Sequence, residues 1–212
     1  MTFCTDIDLL YWEPDLLRSA AFASQLLLAG SGSLSGTTFT IDAGSLLEAH
    51  VAAGQAIVLG GAIDGCYPIV SVNSATELSL SVLYEGLDVL PGPVGSAAGL
   101  SFAIRTFWPQ RKLVSDMLRL AAGVGLESGA PAEAAIANPE ALRRPCALGT
   151  LHLIHSAMAA ASSEPGRLAI RAELYERLYR RSLMRTRVQI DVNGDGLAER
   201  VRHLGLIEMA RA

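Results

Sequence analysis

Lysine is almost missing from this chain, with Lys112 the only one among 212 residues. Cysteine is scarce too. Cys4, Cys66 and Cys146 are odd in number and far apart, which excludes a disulfide framework or a CxxC metal site. Each reads as a small buried apolar residue. No apolar run reaches the ~18–20 residues that a membrane-spanning helix needs. The opening MTFCTDID carries acids where a signal peptide carries lysine or arginine, so a cytosolic origin is expected. Catalytic motifs are lacking as well. The glycine-rich GSGSLSG at 30–36 has no following Lys-Ser/Thr, does not fit GxGxxG and is not the Gly-x-Ser-x-Gly elbow of a hydrolase. The stretch before Arg105 has almost no basic residues and no aromatic stacking platform, which argues against a single-strand nucleic-acid binder.

What is present is apolar. Hydrophobic residues make up 50% of the chain and mean hydropathy is +0.34, high beside 18% charged residues. Much of that content is alanine in helix-like segments. Alanine favours helix but buries little area, so close helix packing or subunit contacts are expected. The length suits one domain with an insertion, or two small domains, and is enough to bury a core. Net charge is −4, which excludes a general nucleic-acid binder. The charge is uneven, however. Seven arginines (167, 171, 177, 180, 181, 185 and 187) stand against Glu173 and Glu176.

Pro14 opens a predicted helix through DLLRSAAFASQLLLA, which Gly30 ends. Leu16, Ala20, Ala23 and Leu27 share one of its faces. GSGSLSG then reads as a flexible exit. From Thr37 to Ile104 the period changes. TTFTI, QAIVLGG, CYPIVSV, ELSLSVL and LSFAI are short β runs separated by the turn signals DAG, GAIDG, NSAT, EGLD and PGPVG. Five such strands predict a small barrel or sandwich, with Pro68 at an edge or bulge. SLLEAHV suits one helical turn.

Helix returns in RKLVSDMLRLAAG. Leu113, Met117 and Leu120, with Val114, Leu118 and Ala121 beside them, form its apolar face, and Gly123 ends it. ESGAPAEAAIA reads as a loop. Asn138-Pro139-Glu140 is a helix start, and Pro145 interrupts it, which places the long apolar helix at 146–161. SSEPG caps the arginine-rich helix, and TRVQIDV-NGDG-LAERVRHLGL follows as a hairpin. The expected fold is α+β. A helical bundle (1–36 and 105–185) closes around its first helix, carries an inserted β-barrel or sandwich (37–104), and ends in a hairpin arm (186–212).

Three constellations could carry chemistry. His152 and His155 lie three apart on a predicted helix and can share a face, as a metal site would begin; a third ligand is needed, and no acid lies within a turn of them on that face. The alternative is packing or interface histidines. Asp191, Asn193, Asp195 and Gly196 match positions 1, 3, 5 and 6 of a calcium loop, with Glu199 at position 9. Position 12 is Arg202, and Asn-Gly and Asp-Gly also suit tight hairpin turns. Finally, the arginines either solvate an outer helix face or dock on an acidic partner or DNA. Arg180, Arg181, Arg185 and Arg187, with Val188, Ile190 and Val192 on one face of the terminal strand, are the expected partner interface. An isolated hairpin is marginal in water, so the arm is expected to become fixed on assembly.

The opening DLLYWEPDLL, the β insert after a first helix and the later helical block ending in ELYERLYRRSL resemble a head–tail adaptor, or connector, of tailed bacteriophages and gene transfer agents. The resemblance covers roughly residues 6–30 and 106–208 and rests on pattern and order. The β insert is not a fixed feature of that family. The resemblance implies a virion neck protein that assembles in the host cytoplasm as a ring, usually a dodecamer. The ring docks on the portal protein and receives the stopper or tail. It implies no catalytic activity, no cofactor, no membrane contact and at most nonspecific contact with DNA in the channel. Two other classes stay open: a nucleic-acid-binding regulator using the arginine helix, with steep salt dependence, and a small metal-dependent enzyme using His152 and His155.

Overall fold

The β-rich runs between Thr37 and Ile104 form strands, and they close on themselves. A computed structural model describes residues 2–20, 22–82, 90–125, 133–164 and 166–205. The EGLD turn, the start of the ESGAPAEAAIA loop, Pro165 and the chain beyond Gly205 lie outside the described residues. The protein is α+β, with five α-helices among the described residues, a closed antiparallel barrel of six strands and a C-terminal hairpin. It divides into two compact units, Thr5–Phe107 and Trp108–Ala212, the latter including Met1–Cys4.

The first unit opens with two short helices, α1 (Asp6–Leu10) and α2 (Leu16–Ser19). The barrel strands follow as β1 (Leu26–Gly36), β2 (Thr38–Ile41), β3 (Ala56–Gly60), β4 (Gly65–Val72), β5 (Glu77–Leu80) and β6 (Gly95–Arg105). Their order around the barrel is β1-β2-β5-β4-β3-β6. Closure leaves no free sheet edge. Inward residues alternate along each strand, as a half-buried strand requires. Phe39 and Ile41 of β2, Leu78 and Leu80 of β5, and Leu100, Phe102 and Ile104 of β6 meet in one core. The Phe39 and Phe102 rings pack edge to face, centroids 5.4 Å apart. Pro68 stands where β4 changes partners. It lies opposite Ala56 of β3, and the β5 ladder begins at Ile69 with a register shift before Ser71. A bulge at that point tolerates the missing N–H.

The helix expected from Pro14 to Gly30 does not form. It stops at Ser19, and residues 26–36 form β1. A short apolar run such as LLLA suits either helix or strand, and pairing decides between them. Here Leu26 and Leu28 lie opposite Arg105 and Ile104 of β6. GSGSLSG is therefore ladder, not a flexible exit. Gly32 pairs with Ile41 on one side and Leu100 on the other. A Cβ there would lie 2.5 Å from the Thr40 carbonyl oxygen and 2.7 Å from the Phe39 ring, so the close approach of β2 requires glycine. Asp6 ties the two ends of this unit together. Its carboxylate accepts hydrogen bonds from the Thr106 hydroxyl at 2.7 Å and the Phe107 N–H at 3.0 Å, all buried.

The second unit packs α3 (Trp108–Ala122) and α5 (Gly166–Arg185) on α4 (Arg143–Ala161). The buried face of α3 is the expected one only in part. Val114, Leu118 and Ala122 are buried with Arg111, Ser115 and Arg119, while Leu113, Met117 and Leu120 are exposed. The buried arginines are covered by the first residues of the chain. Arg111 donates to the Cys4 carbonyl at 2.8 Å, Arg119 lies 4.9 Å from the centre of the Phe3 ring, and the Phe3 N–H donates to the Ser115 hydroxyl at 3.1 Å. α4 begins at Arg143, three residues before the expected start, because a proline in the first helical turn lacks only an N–H that is orphaned there anyway. Gly149 of α4 admits close neighbours: a Cβ there would lie 2.9 Å from Val114 and 3.1 Å from Tyr179. The hairpin pairs β7 (Arg187–Ile190) with β8 (Arg200–His203).

Candidate functional site

β7 is held on both edges. β8 pairs with one edge of β7, and residues 135–138 occupy the other. Ala137 donates to the Gln189 carbonyl at 2.9 Å, Asp191 donates to the Ala135 carbonyl at 2.8 Å, and the Asn138 amide bonds Arg187 and Gln189 at 3.0 and 2.7 Å. Val188 and Ile190, expected on the contact face of the arm, are instead buried within their own unit. The alternation read from TRVQIDV is correct; the occupant of its apolar face is the protein itself. Val192, Arg187 and the outer edge of β8 remain exposed.

The turn between β7 and β8 brings Asp191, Asp195 and Glu199 together, with one carboxylate oxygen from each lying within 4.8 Å of the others. The same groups organise the turn. Asp191 accepts from Gly194 N–H at 2.6 Å and Gly196 N–H at 2.8 Å, and Glu199 accepts from Val192 N–H at 2.6 Å. Gly194 and Gly196 both have positive φ, which hairpin turns need. N–H donors from Gly196 and Gly194, chiefly Gly196, hold the Asp191 carboxyl below its ordinary range. The Asn193 side-chain oxygen accepts from Asp195 N–H at 2.9 Å. Arg202, at the position of a calcium loop's bidentate glutamate, reaches to Gly123 instead. Every calcium-like residue therefore has a role as a turn residue.

The histidine pair separates in role. His155 is buried and stacks on Tyr175, ring centroids 5.4 Å apart and 7° from parallel. The His152 Nδ1 lies 3.0 Å from the Ala172 carbonyl oxygen on α5. Among the described residues no His, Cys, Asp or Glu joins them in a set of three. Both act in packing α4 on α5. Cys4 and Cys146 are buried. Cys4, then Ser115 and Arg111, hold the Cys146 thiol below its ordinary range, although burial opposes them.

The arginines of α5 are mostly exposed, but not alike. Arg180 pairs with Glu176 at 2.5 Å, one turn away. Arg181 and Arg185 have no acidic partner among the described residues. They flank a cleft with Arg144 of α4. No window along the chain signals that juxtaposition, because Arg144 lies on another helix. A second feature was also hidden. Trp108, Leu113, Met117 and Leu120 project from α3, and Ile170, Leu174 and Met184 from α5, all at least 43% exposed.

Comparison with protein-family models, curated proteins and solved structures gives no match to this chain.

Proposed function

We propose that this protein is a structural assembly subunit: a head–tail adaptor of a tailed bacteriophage or gene transfer agent, which forms a ring on the portal vertex and links it to the stopper or tail. The observation that carries this reading is the apolar face of α3. Leu113, Met117 and Leu120 recur at helical spacing and face solvent, whereas isolated exposed apolar residues need no explanation. α5, also packed on α4, carries Ile170, Leu174 and Met184 outward. Two different apolar faces on one subunit suit head-to-tail contact, which generates a ring when the rotation between subunits closes.

In this reading the helices form the body of the ring, and the terminal hairpin is the arm that engages the portal. The edge offered to the portal is β8, since β7 is paired on both sides. Backbone hydrogen bonds along residues 200–203 supply affinity, and the flanking arginines supply orientation. The protein carries no catalytic step and needs no cofactor. Its contact with channel DNA is nonspecific and salt-sensitive.

Particle imaging of the purified protein, alone and mixed with portal protein, tests the proposal. Rings in either sample, or a bound collar on the portal, support it. Monomers in both samples, with no complex, overturn it.

A further inference from the structure

Cys4 and Cys146 are both buried and lie in the same unit, although every barrel strand and α3 come between them in sequence. One turn of α3 holds them both. The Arg111 guanidinium donates to the Cys4 carbonyl at 2.8 Å, and the Arg111 carbonyl lies 4.0 Å from the Cys146 sulfur. The Ser115 hydroxyl accepts from the Phe3 N–H at 3.1 Å and lies 3.4 Å from that same sulfur. Between these anchors the Cys4 side chain hydrogen-bonds the Cys146 sulfur. A cysteine that only fills apolar space is inert, and burial raises its thiol. Cys66 behaves in that way: it is half-buried, and burial pushes its thiol up to about 11. Cys146 does not. Cys4 first, then Ser115 and Arg111, hold its thiol below the ordinary range although burial opposes them, so its ionised form is favoured where a second thiol already touches it.

We propose that Cys4 and Cys146 are a reversible disulfide site, oxidised by a hydroperoxide, that fastens residues 2–4 to α4. The oxidant must be small, since the two side chains are 2% and 0% exposed. The Cys146 thiolate attacks one oxygen of hydrogen peroxide. The O–O bond breaks, Cys146 becomes a sulfenic acid, and the departing hydroxide takes up a proton to leave as water. The Cys4 thiol then attacks the sulfenyl sulfur. The S–S bond forms, the S–O bond breaks, and the Cys4 proton leaves with the hydroxyl as a second water. Two thiols and one peroxide become one disulfide and two waters; the sulfurs lose two electrons and the peroxide oxygens gain them. Access comes from the segment itself. Residues 2–4 form no helix or strand and are held on α3 through Arg111 and Ser115, so a local opening there uncovers both sulfurs. The finished bond closes a loop from residue 4 to residue 146, which restricts the unfolded chain and stabilises the folded one. The site lies within one chain and does not depend on the ring.

The full chain is treated with hydrogen peroxide at neutral pH and low protein concentration, the remaining thiols are alkylated, and the product is digested without reductant for mass spectrometry. The expected product has lost two hydrogens, yields a peptide pair joined through Cys4 and Cys146, carries the alkyl group on Cys66, and returns to the parent mass on reduction. Its thermal midpoint is expected to rise by about 5 °C or more and to fall back on reduction. In strong denaturant the same treatment is expected to give mixed pairings among the three cysteines, since only the fold selects the pair. Cys66→Ser is expected to leave the crosslink unchanged. Cys4→Ser is expected to halt at the Cys146 sulfenic acid, captured by a sulfenic-acid trap, and the linked peptide of the parent chain decides the question if that variant does not fold. The proposal is overturned if Cys66 reacts before Cys146, if the folded chain gives mixed pairings, if Cys146 passes to sulfinic acid without linking to Cys4, or if the oxidised chain melts no higher than the reduced one.

Discussion

The two units solve the burial problem in opposite ways. The barrel unit spans Thr5–Phe107, with ten carboxylates against two arginines. It turns the inward side chains of its strands into one core, leaves Tyr11, Leu47 and Leu90 exposed outside the strands, and closes its hydrogen-bond ladder completely. The rest of the chain has fifteen basic residues against eleven acids. It leaves apolar side chains exposed on α3 and α5, buries arginines on α3, and among the described residues has a strand edge at β8 with no further strand on it. A unit with a closed ladder and an inward core has little left to offer through its backbone. A unit with open faces, such an edge and surplus positive charge has surfaces that a partner can complete. The opposite net charges also keep the two kinds of surface from competing for the same partner.

The barrel core is where single substitutions cost most. Phe39→Ala removes a fully buried ring packed on Phe102, and is expected to lower stability by about 3–5 kcal/mol in denaturant titration. A loss under about 1 kcal/mol would show that the barrel is not a close-packed core. Asp6→Ala leaves the Thr106 hydroxyl and the Phe107 N–H without that acceptor, at a cost of roughly 2–4 kcal/mol. Asp6→Glu reinserts the charge with the wrong reach, and a full rescue by it would argue against the geometry described.

The helical unit has its own tight point. Gly149→Val drives a side chain into Val114 and Tyr179 and is expected to cost about 1–3 kcal/mol by overpacking. Amide shifts should change on α3, α4 and α5 and stay fixed in the barrel strands. Changes of equal size in β2 and β5 would break the division into two units.

The same contrast explains what could be read from the sequence. Strands β2 to β6 were legible because alternation of large side chains is a local signal, and TTFTI or LSFAI carries it within five residues. β1 was not, because Gly30 and Gly32 have no side chain and Ser33 and Ser35 only a small polar one, so no large apolar residues alternate there and its identity comes from pairing with β6. α3 was legible as a helix but not in its orientation. Apolar residues recur on two of its faces, and the choice between them fell to Arg111 and Arg119, whose partners Cys4 and Phe3 lie about a hundred residues earlier. The hairpin turn was legible from Asp-x-Asn-Gly-Asp-Gly. The burial of Val188 and Ile190 was not, since it depends on packing within their unit that no window along the chain contains. The arginine cleft needed two helices to be juxtaposed, which no window along the chain contains.

On the exposed face of α3, assembly and stability should separate. Met117→Glu and Leu120→Glu are expected to change stability by less than about 0.5 kcal/mol, because both side chains already face water. Mass measurement in solution should nevertheless show loss of higher assemblies. Unchanged assembly in the double variant would remove α3 from the interface, and a large loss of stability would mean that this face is covered within the chain.

The smallest effect expected is at the hairpin turn, and its sign is fixed by chemistry. The Asp191 carboxyl titrates lower in the folded turn than in the unfolded chain because Gly196 and Gly194 N–H groups donate to its ionised form. A group depressed in this way stabilises the fold above its unfolded value, near 3.9, and that contribution fades as pH falls through the folded value. The side chain is only half-buried, so the gain is local and the barrel should not register it. The protection of the Gly194 and Gly196 amides, taken relative to their intrinsic exchange rate at each pH, should therefore fall on acidification below about pH 4, while protection in β5 and β6 does not. Asp191→Asn should remove that acid step yet keep much of the turn, since an asparagine oxygen still accepts one of the two N–H bonds. If the acid step persists in Asp191→Asn, the turn is governed by Asp195 or Glu199. The three carboxylates would then have to be treated as one titrating cluster rather than as one turn residue with two neighbours.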